Sequence, residues 1–233
     1  MIKGVLFDLD GTLLASDLEE QMGTYFSGLS EYLRTHMPAL SATIGPDIMR
    51  SSVACAKDRR PNVLVRDKFY ESYCAHTGAV IEEIKPVFDT FYQTVYGELG
   101  KNYRPVPQIL EAIAYLKNQG YRLCVATNPL FPIEAIRWRI QWAGLLPEDF
   151  HTITHYGNSH FIKPHKEYYA EAAALLGLAP EECAMVGNNG TEDMAAGALL
   201  MPTFLLTEHV LEPGEYKGAQ GGYDALFPWL LRL

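Results

Sequence analysis

Two aspartates, Asp8 and Asp10, follow a short apolar run, Ile2 to Phe7, that is typical of a buried strand. If Asp8 stays extended while the chain turns at Gly11, both carboxylates approach one point. One carboxylate can then attack an electrophilic centre while the other moves a proton. A single aspartate at a strand end is typical of a turn or a helix cap, so the chemical interpretation depends on the pair and its neighbours.

Polar residues follow the other predicted strands as well, and the carboxyl ends of parallel strands meet at one edge of a sheet. They are Thr127 and Asn128 after the strand Tyr121 to Ala126, Lys163 after the strand around His151 to Thr154, and Asn188, Asn189 and Asp193 after the strand Cys183 to Val186. Alone, such a threonine is typical of a turn and such a lysine of a solvated surface. Gathered beside two aspartates, they suit phosphoryl transfer, in which charge is neutralised and a nucleophile is aligned.

Strands and helices alternate after Pro105, and this pattern predicts a parallel sheet covered by helices on both faces. A last strand is predicted at Thr203 to Leu206. The glycine-rich tail beyond Leu211 is expected to form a loop and a docking segment. The predicted fold class is therefore α/β, with a Rossmann-like parallel sheet in a three-layer core.

Residues 15–104 carry no strand signal, and apolar residues recur there at helical spacing. One stripe contains Leu18, Met22, Phe26, Leu29 and Leu33, and another contains Ile84, Val87, Phe88, Phe91 and Val95. We therefore expect a core formed by residues 1–14 and 105–233, with an all-helical insertion at 15–104. Four tyrosines of the insertion, Tyr25, Tyr70, Tyr73 and Tyr92, could line a pocket, but packing inside the insertion is favoured. The stripes make no prediction of oligomeric state.

Four segments in chain order resemble the signature motifs of the haloacid dehalogenase-like hydrolase superfamily. They are Asp8-Leu9-Asp10-Gly11-Thr12, Val125-Ala126-Thr127-Asn128, Lys163-Pro164 and Gly187-Asn188-Asn189-Gly190-Thr191-Glu192-Asp193. The resemblance covers the whole predicted core. It implies that the helical insertion is a cap over the site, as in the phosphatase branch of that superfamily.

The resemblance also implies a role for each motif residue. Asp8 would be the nucleophile that forms an aspartyl-phosphate, and Asp10 would be the acid and base. Thr127, Asn128 and Lys163 would contact the phosphate. Magnesium would bind the Asp8 carboxylate, the Asp10 main-chain carbonyl and a side chain of the fourth motif, with Asp193 holding the metal or a water on it.

The fourth motif departs from the family pattern. Relatives usually have an acidic metal ligand four residues before the second aspartate, and that position here is Asn189; with a spacing of five it is Asn188. An amide oxygen still ligates magnesium, but the site has one negative charge fewer. We therefore expect weak activity, a high magnesium requirement or a loss of activity.

Composition narrows the class of partner. The 19 basic and 28 acidic residues give a net charge of −9, which disfavours a nucleic-acid or anionic-membrane surface. The four cysteines show no metal-binding spacing, so we expect a reducing, cytoplasmic compartment. Asp8 and Asp10 interrupt the N-terminal apolar run, so we expect no signal peptide, and there is no apolar run of membrane-spanning length.

The predicted function is magnesium-dependent hydrolysis of a small phosphorylated metabolite. Two alternatives stay open: a catalytically impaired relative that binds a phosphorylated ligand or a protein partner, and a phosphotransferase or mutase that uses the same aspartyl-phosphate. Dehalogenation by a nucleophilic aspartate is disfavoured, because those relatives usually lack an acid at the position of Asp10. No GxxxxGK[ST] or GxGxxG loop is present, so nucleotide binding of those kinds has no support.

Overall fold

The computed structural model describes residues 1–233 as an α/β protein built on a six-stranded sheet in which every pairing is parallel. The strands are β1 (Gly4–Phe7), β2 (Arg122–Val125), β3 (Thr152–Ile153), β4 (Cys183–Gly187), β5 (Thr203–Leu206) and β6 (Ala219–Gly221). Their order across the sheet is β3-β2-β1-β4-β5-β6. The strand that carries the first motif is therefore central, and the predicted fold class is confirmed.

Four helices that follow the helical stretch of residues 15–104 cover both faces of the sheet. They are α6 (Pro107–Asn118), α7 (Ile133–Trp142), α8 (Lys166–Leu175) and α9 (Tyr223–Leu230), with a 3₁₀ segment at Asp193–Leu199. Side chains alternate along β1, so that Val5 and Phe7 join one apolar core with α6, α7 and α9, whereas Leu6 joins another with α8. Three layers result, as the alternation of strands and helices predicts.

The stretch between β1 and α6 is helical. It contains α1 (Leu18–His36), α2 (Pro38–Ser41), α3 (Ile44–Lys57), α4 (Val65–Thr77) and α5 (Ile81–Thr94), followed by a 3₁₀ turn at Tyr96–Gly100. Asp17 begins α1, because its carboxylate accepts the main-chain N–H of Glu20 at 3.0 Å. The helices of this stretch share an apolar core in which Leu33 and Phe91 are completely buried and to which Ala135 and Ile162 also contribute. The division of the chain into two domains stays a prediction.

The prediction that Thr203 to Leu206 is the last strand was wrong. Residues of the tail form β6, which pairs with β5 with Ala219 in register with Phe204. The sequence Ala-Gln-Gly has no apolar pattern because this short edge strand is largely exposed. The docking segment exists as α9, whose Leu226 and Leu230 lie in the core beside α6.

No helix is both long and apolar enough to cross a membrane.

The apolar core of the helices between β1 and α6 can be tested by its contribution to stability. Replacing the fully buried Phe91 with alanine is expected to lower the free energy of unfolding by about 3–5 kcal/mol, because the change removes apolar contacts and leaves a cavity. Urea denaturation measures the loss. Val53→Ala in α3 is the control, because Val53 is exposed and its change should stay within about 0.5 kcal/mol. Equal effects of the two substitutions would contradict a packed core in these helices.

Candidate active site

The carboxyl ends of β2, β1 and β4 lie side by side at one edge of the sheet. Phe7 is in register with Val125 on one side and with Val186 on the other. The residues that follow these positions therefore emerge at one level of the edge. Seven of the predicted site residues line one cavity there: Asp8, Asp10, Thr127, Asn128, Asn188, Asn189 and Asp193. The eighth, Lys163, contacts Asp8.

Lys163 is buried between two carboxylates and donates to both. Its Nζ lies 2.7 Å from Oδ1 of Asp8 and 2.5 Å from Oδ1 of Asp193. Burial by itself lowers the pKa of Lys163, but attraction by Asp193 and Asp8 outweighs burial and raises that pKa well above its usual range. The ammonium therefore stays charged and holds the two carboxylates together.

The Asp8 carboxyl is in an unusual electrostatic environment. Burial raises its pKa to about 7, against the attraction of Lys163, and repulsion by Asp193 adds to the rise. One ammonium faces two carboxylates here, so ionisation of both leaves an excess negative charge. Added positive charge at Asp8 would stabilise its ionised, nucleophilic form.

Gly187 is what allows Asp193 to come this close. A Cβ atom at position 187 would lie 2.2 Å from the carboxyl carbon of Asp193, which is far inside van der Waals contact. The other carboxylate oxygen of Asp193 accepts the main-chain N–H of Asn189 at 2.9 Å. The Asp193 carboxylate therefore binds both Lys163 and the main chain of the fourth-motif loop.

Asp10 is held by two residues that motif analysis did not identify. Gln21 of α1 donates from Nε2 to one carboxylate oxygen at 2.6 Å, and Arg139 of α7 forms an ion pair with the other. Arg139 is buried, its guanidinium lies 4.5 Å from the centre of the Phe131 ring, and its Nη2 has no hydrogen-bond partner. Attraction by Asp10 outweighs burial and raises the pKa of Arg139, so the guanidinium is charged.

A sequence signal for Gln21 and Arg139 exists. Gln21 lies within the apolar stripe of α1, next to Met22, and Arg139 lies next to Ile140 on the buried side of α7. A polar residue inside an apolar stripe requires a buried partner. That partner is Asp10 in both cases.

The second motif presents a hydroxyl and an amide. The main-chain carbonyl of Thr127 accepts from Thr154 Oγ1 at 2.9 Å and from the Tyr168 hydroxyl at 2.7 Å, which fixes the loop. Asn128 donates weakly to Glu192, with Nδ2 and Oε2 separated by 3.4 Å, and its own oxygen is buried without a partner. Glu192 also lines the cavity, and burial raises its pKa. Glu192 belongs to the fourth motif, but the family resemblance implies no role for it.

The two asparagines of the fourth motif differ in what their side chains do. Asn189 Oδ1 accepts two main-chain N–H groups, from Thr191 at 2.9 Å and Glu192 at 2.8 Å, so both lone pairs are used in the turn. Asn188 donates to the His209 carbonyl at 2.6 Å, and its oxygen receives only a long 3.5 Å contact from Thr12. The oxygen of Asn188 is therefore the one with capacity for a further partner.

Gly11 brings the first and fourth motifs into contact. Its φ of 79° is a left-handed conformation that favours glycine, and a Cβ there would lie 2.1 Å from Nδ2 of Asn188. The turn after Asp10 therefore packs directly on the Asn188 amide.

The residues at this edge fit a magnesium ion, although no three His, Cys, Asp or Glu side chains form a metal-binding group. The donors are of mixed type: the Asp8 carboxylate, the Asn188 amide oxygen and the main-chain carbonyl of Asp10, which accepts no main-chain hydrogen bond. Hard oxygen donors are those that Mg²⁺ prefers. The excess negative charge beside Lys163 favours a cation in the same place.

The fold and this acidic edge are those of Rossmann-like hydrolases. The haloacid dehalogenase-like hydrolase family matches residues 2–200, and the chain belongs to that family. The pyrophosphatase PpaX of Bacillus cereus (strain AH820) is 26% identical over 190 residues, which is 81% of this chain and 75% of the relative.

Solved structures share the fold. The 2-haloacid dehalogenase from Pseudomonas syringae pv. Tomato DC3000 has a TM-score of 0.67 at 17% identity, covering 100% of this chain and 99% of that one. A predicted phosphoglycolate phosphatase from Haemophilus somnus 129pt has a TM-score of 0.56 at 21% identity, covering 98% and 97%. At these identities the likeness establishes the fold alone.

Removing the buried ammonium tests the electrostatics of the site. Lys163→Met should lower the free energy of unfolding by about 3–5 kcal/mol near neutral pH, because Asp8 and Asp193 lose their only shared cation. Without it, the pKa of the Asp8 carboxyl, which burial already raises to about 7 in the wild type, should rise further, so the folded variant takes up a proton at a higher pH than the folded wild type. The deficit should therefore shrink as the pH falls toward about 7.

The double variant Lys163→Met/Asp193→Asn is the matched control, because it removes one of the two repelling charges. Its loss of stability should be smaller than the sum of the single losses. Additive losses, or a deficit that grows as the pH falls, would contradict the coupling of these groups.

Proposed function

We propose that the protein is a magnesium-dependent phosphatase that hydrolyses a small phosphorylated metabolite through an aspartyl-phosphate on Asp8. The observation that carries the proposal is the pairing of Asp8 with Lys163 at the end of the central strand, with Asp10 held separately on the same loop. A nucleophile held by a cation, with a second carboxylate available for proton transfer, is what two-step phosphoryl transfer requires.

In the first step, a carboxylate oxygen of Asp8 attacks phosphorus while the bond from phosphorus to the ester oxygen breaks. Asp10, which must carry a proton at this point, donates it to that oxygen, and an alcohol leaves. In the second step, Asp10 accepts a proton from a water molecule as the water oxygen attacks phosphorus. The Asp8–phosphorus bond breaks, and inorganic phosphate leaves with Asp8 restored.

Other residues act on the phosphate. The Thr127 hydroxyl, which lines the cavity and donates to no group of the chain, would donate to a phosphoryl oxygen. The Asn128 amide is the second candidate donor. Lys163 balances the charge on Asp8 as the phosphate approaches.

Asp8, the Asp10 main-chain carbonyl and Asn188 would hold the magnesium ion, with Asp193 close by. Asn189 is the weaker candidate because its oxygen is engaged in the turn. Bound magnesium would offset the negative charge of the phosphate and the carboxylates.

Residues 15–104 would act as a cap. Helices α1, α3, α4 and α5 line the cavity opposite the sheet edge, and Gln21 connects α1 directly to Asp10. Such a cap excludes water from the reacting groups.

The four cysteines are unpaired, which supports a reducing, cytoplasmic location.

A second candidate is a protein that binds a phosphorylated ligand without turnover. Its support is the amide that stands where family members usually have an acidic ligand, whether that position is Asn189 or, at the alternative spacing, Asn188. The pairing of Asp8 with Lys163 and the separate ion pair of Asp10 favour the phosphatase, because binding alone needs neither a nucleophile nor an acid.

Removing each carboxyl separates the two roles. Asp8→Asn should abolish hydrolysis, because no nucleophile is left. Asp10→Asn should reduce kcat by about 10²–10⁴-fold, because proton transfer contributes that much. Phosphate release with magnesium, and with a chelator as the blank, is the measurement. Asp17→Asn, which keeps a helix cap outside the cavity, is the control. Full activity of Asp8→Asn would contradict the mechanism.

The two asparagines provide a matched test of the metal site. Asn188→Asp should lower the magnesium concentration for half-maximal rate by about tenfold, since a carboxylate replaces a neutral ligand. Asn189→Asp should leave it unchanged, because that side chain caps a turn. The rise of Tm with magnesium gives a second readout that needs no turnover. An effect confined to Asn189→Asp would show that Asn189, and not Asn188, is the magnesium ligand.

A further inference from the structure

The cavity above Asp8 has two chemically different ends. Its volume is about 420 Å³, within the range of small-molecule sites. Asp8, Asp10 and Thr127 belong to the polar end, at the sheet edge. The other end is formed by the helices of residues 15–104, and 14 of the 27 lining residues are hydrophobic. A bound phosphate ester would therefore project its leaving group between apolar walls.

Aromatic rings form much of those walls. Tyr25, Tyr70 and Tyr92 line the cavity and do not only pack within the insertion, as the sequence suggested, whereas Tyr73 does pack there. The Tyr25 and Tyr92 hydroxyls hydrogen-bond each other at 2.6 Å, so these residues offer the cavity ring surface and few free donors.

Phe131 continues this surface toward the acid. Its ring lies 5.3 Å from that of Tyr25 and 4.5 Å from the guanidinium of Arg139, which pairs with Asp10. The aromatic surface thus begins next to the carboxyl that would protonate the leaving oxygen. A ring attached within a few bonds of that oxygen would reach it.

The charge inventory excludes a second phosphate. The cavity is lined by five acidic residues, Asp8, Asp10, Glu192, Asp193 and Glu212, and by a single cationic one, Arg139. Arg139 is already paired with Asp10. A phosphate on the leaving group needs several charged donors to replace its hydration, and the cavity lining offers no cation besides this paired guanidinium.

We propose that the natural substrate is a phosphate monoester whose leaving group is apolar and carries a ring, with no second phosphate. This rests on the proposed phosphatase function and names its substrate class. Inorganic pyrophosphate, whose leaving group is itself a phosphate, is therefore expected to be a poor substrate.

The test compares esters of matched chemical reactivity. 3-Phenylpropyl phosphate and glycerol 3-phosphate both release a primary alcohol, so a difference between them reports the cavity and not the leaving-group pKa. Wild-type kcat/KM should favour the phenyl ester by about 10- to 100-fold, the effect of burying one ring. Inorganic pyrophosphate should be hydrolysed more slowly than either.

A charge introduced into the wall should reverse the preference. Met49 of α3 lines the cavity and is 49% exposed, so lysine is tolerated there. Met49→Lys should lower the ratio of kcat/KM for the phenyl ester to that for pyrophosphate by at least about tenfold. Val53→Lys is the matched control: it lies on the same helix, is 50% exposed and does not line the cavity. Its ratio should stay at the wild-type value.

The outcomes separate this inference from the proposed function. Turnover that depends on Asp8 but is equal for both esters, or fastest for pyrophosphate, would overturn the substrate class and leave the phosphatase intact. No turnover of any compound would count against the phosphatase. The substrate class is then judged from calorimetric binding to Asp8→Asn, where a phenyl-ester Kd no lower than that of glycerol 3-phosphate would overturn it.

Discussion

The contact of one buried ammonium with two buried carboxylates constrains the rest of this structure. Lys163 follows β3, Asp8 follows β1, and Asp193 begins the 3₁₀ segment after β4. Both carboxylates nevertheless lie within 2.7 Å of the lysine nitrogen. A buried charge that loses its partner costs several kcal/mol. The parallel register of the three strands and the absence of a side chain at Gly187 are therefore electrostatic requirements as much as packing ones.

The second carboxylate of the site depends on a different part of the chain. Asp10 is fixed by Arg139 from α7 and by Gln21 from the helical segment. The proposed nucleophile, Asp8, is thus held by a contact outside residues 15–104, whereas the proposed proton donor, Asp10, is held partly by α1 within them. Any displacement of α1 would move a hydrogen bond of Asp10, so the position of those helices and the readiness of the acid are physically linked.

The sequence predicted those features of the fold and site that are determined by local patterns of residues. Alternating apolar strands and amphipathic helices predicted the parallel sheet and the helical stretch, and strand ends predicted where Asp8, Thr127 and Asn188 would gather. Contacts distant in sequence were missed. Arg139 lies 129 residues from Asp10, and β6 is an exposed edge strand whose pairing comes from β5 and not from its own composition. The choice between Asn188 and Asn189 needed side-chain geometry, because spacing alone allows both.

The central claim is that a covalent bond forms between Asp8 and phosphorus. It is tested most directly by quenching the Asp10→Asn variant in acid during turnover, since loss of the base at position 10 slows the attack of water on the aspartyl-phosphate and leaves the intermediate to accumulate. Peptide mass spectrometry then locates the phosphate. We expect one phosphoryl group on the peptide that contains Asp8, absent when Asp8→Asn is added. Phosphate release by a chain that never carries phosphate at Asp8 would contradict the mechanism.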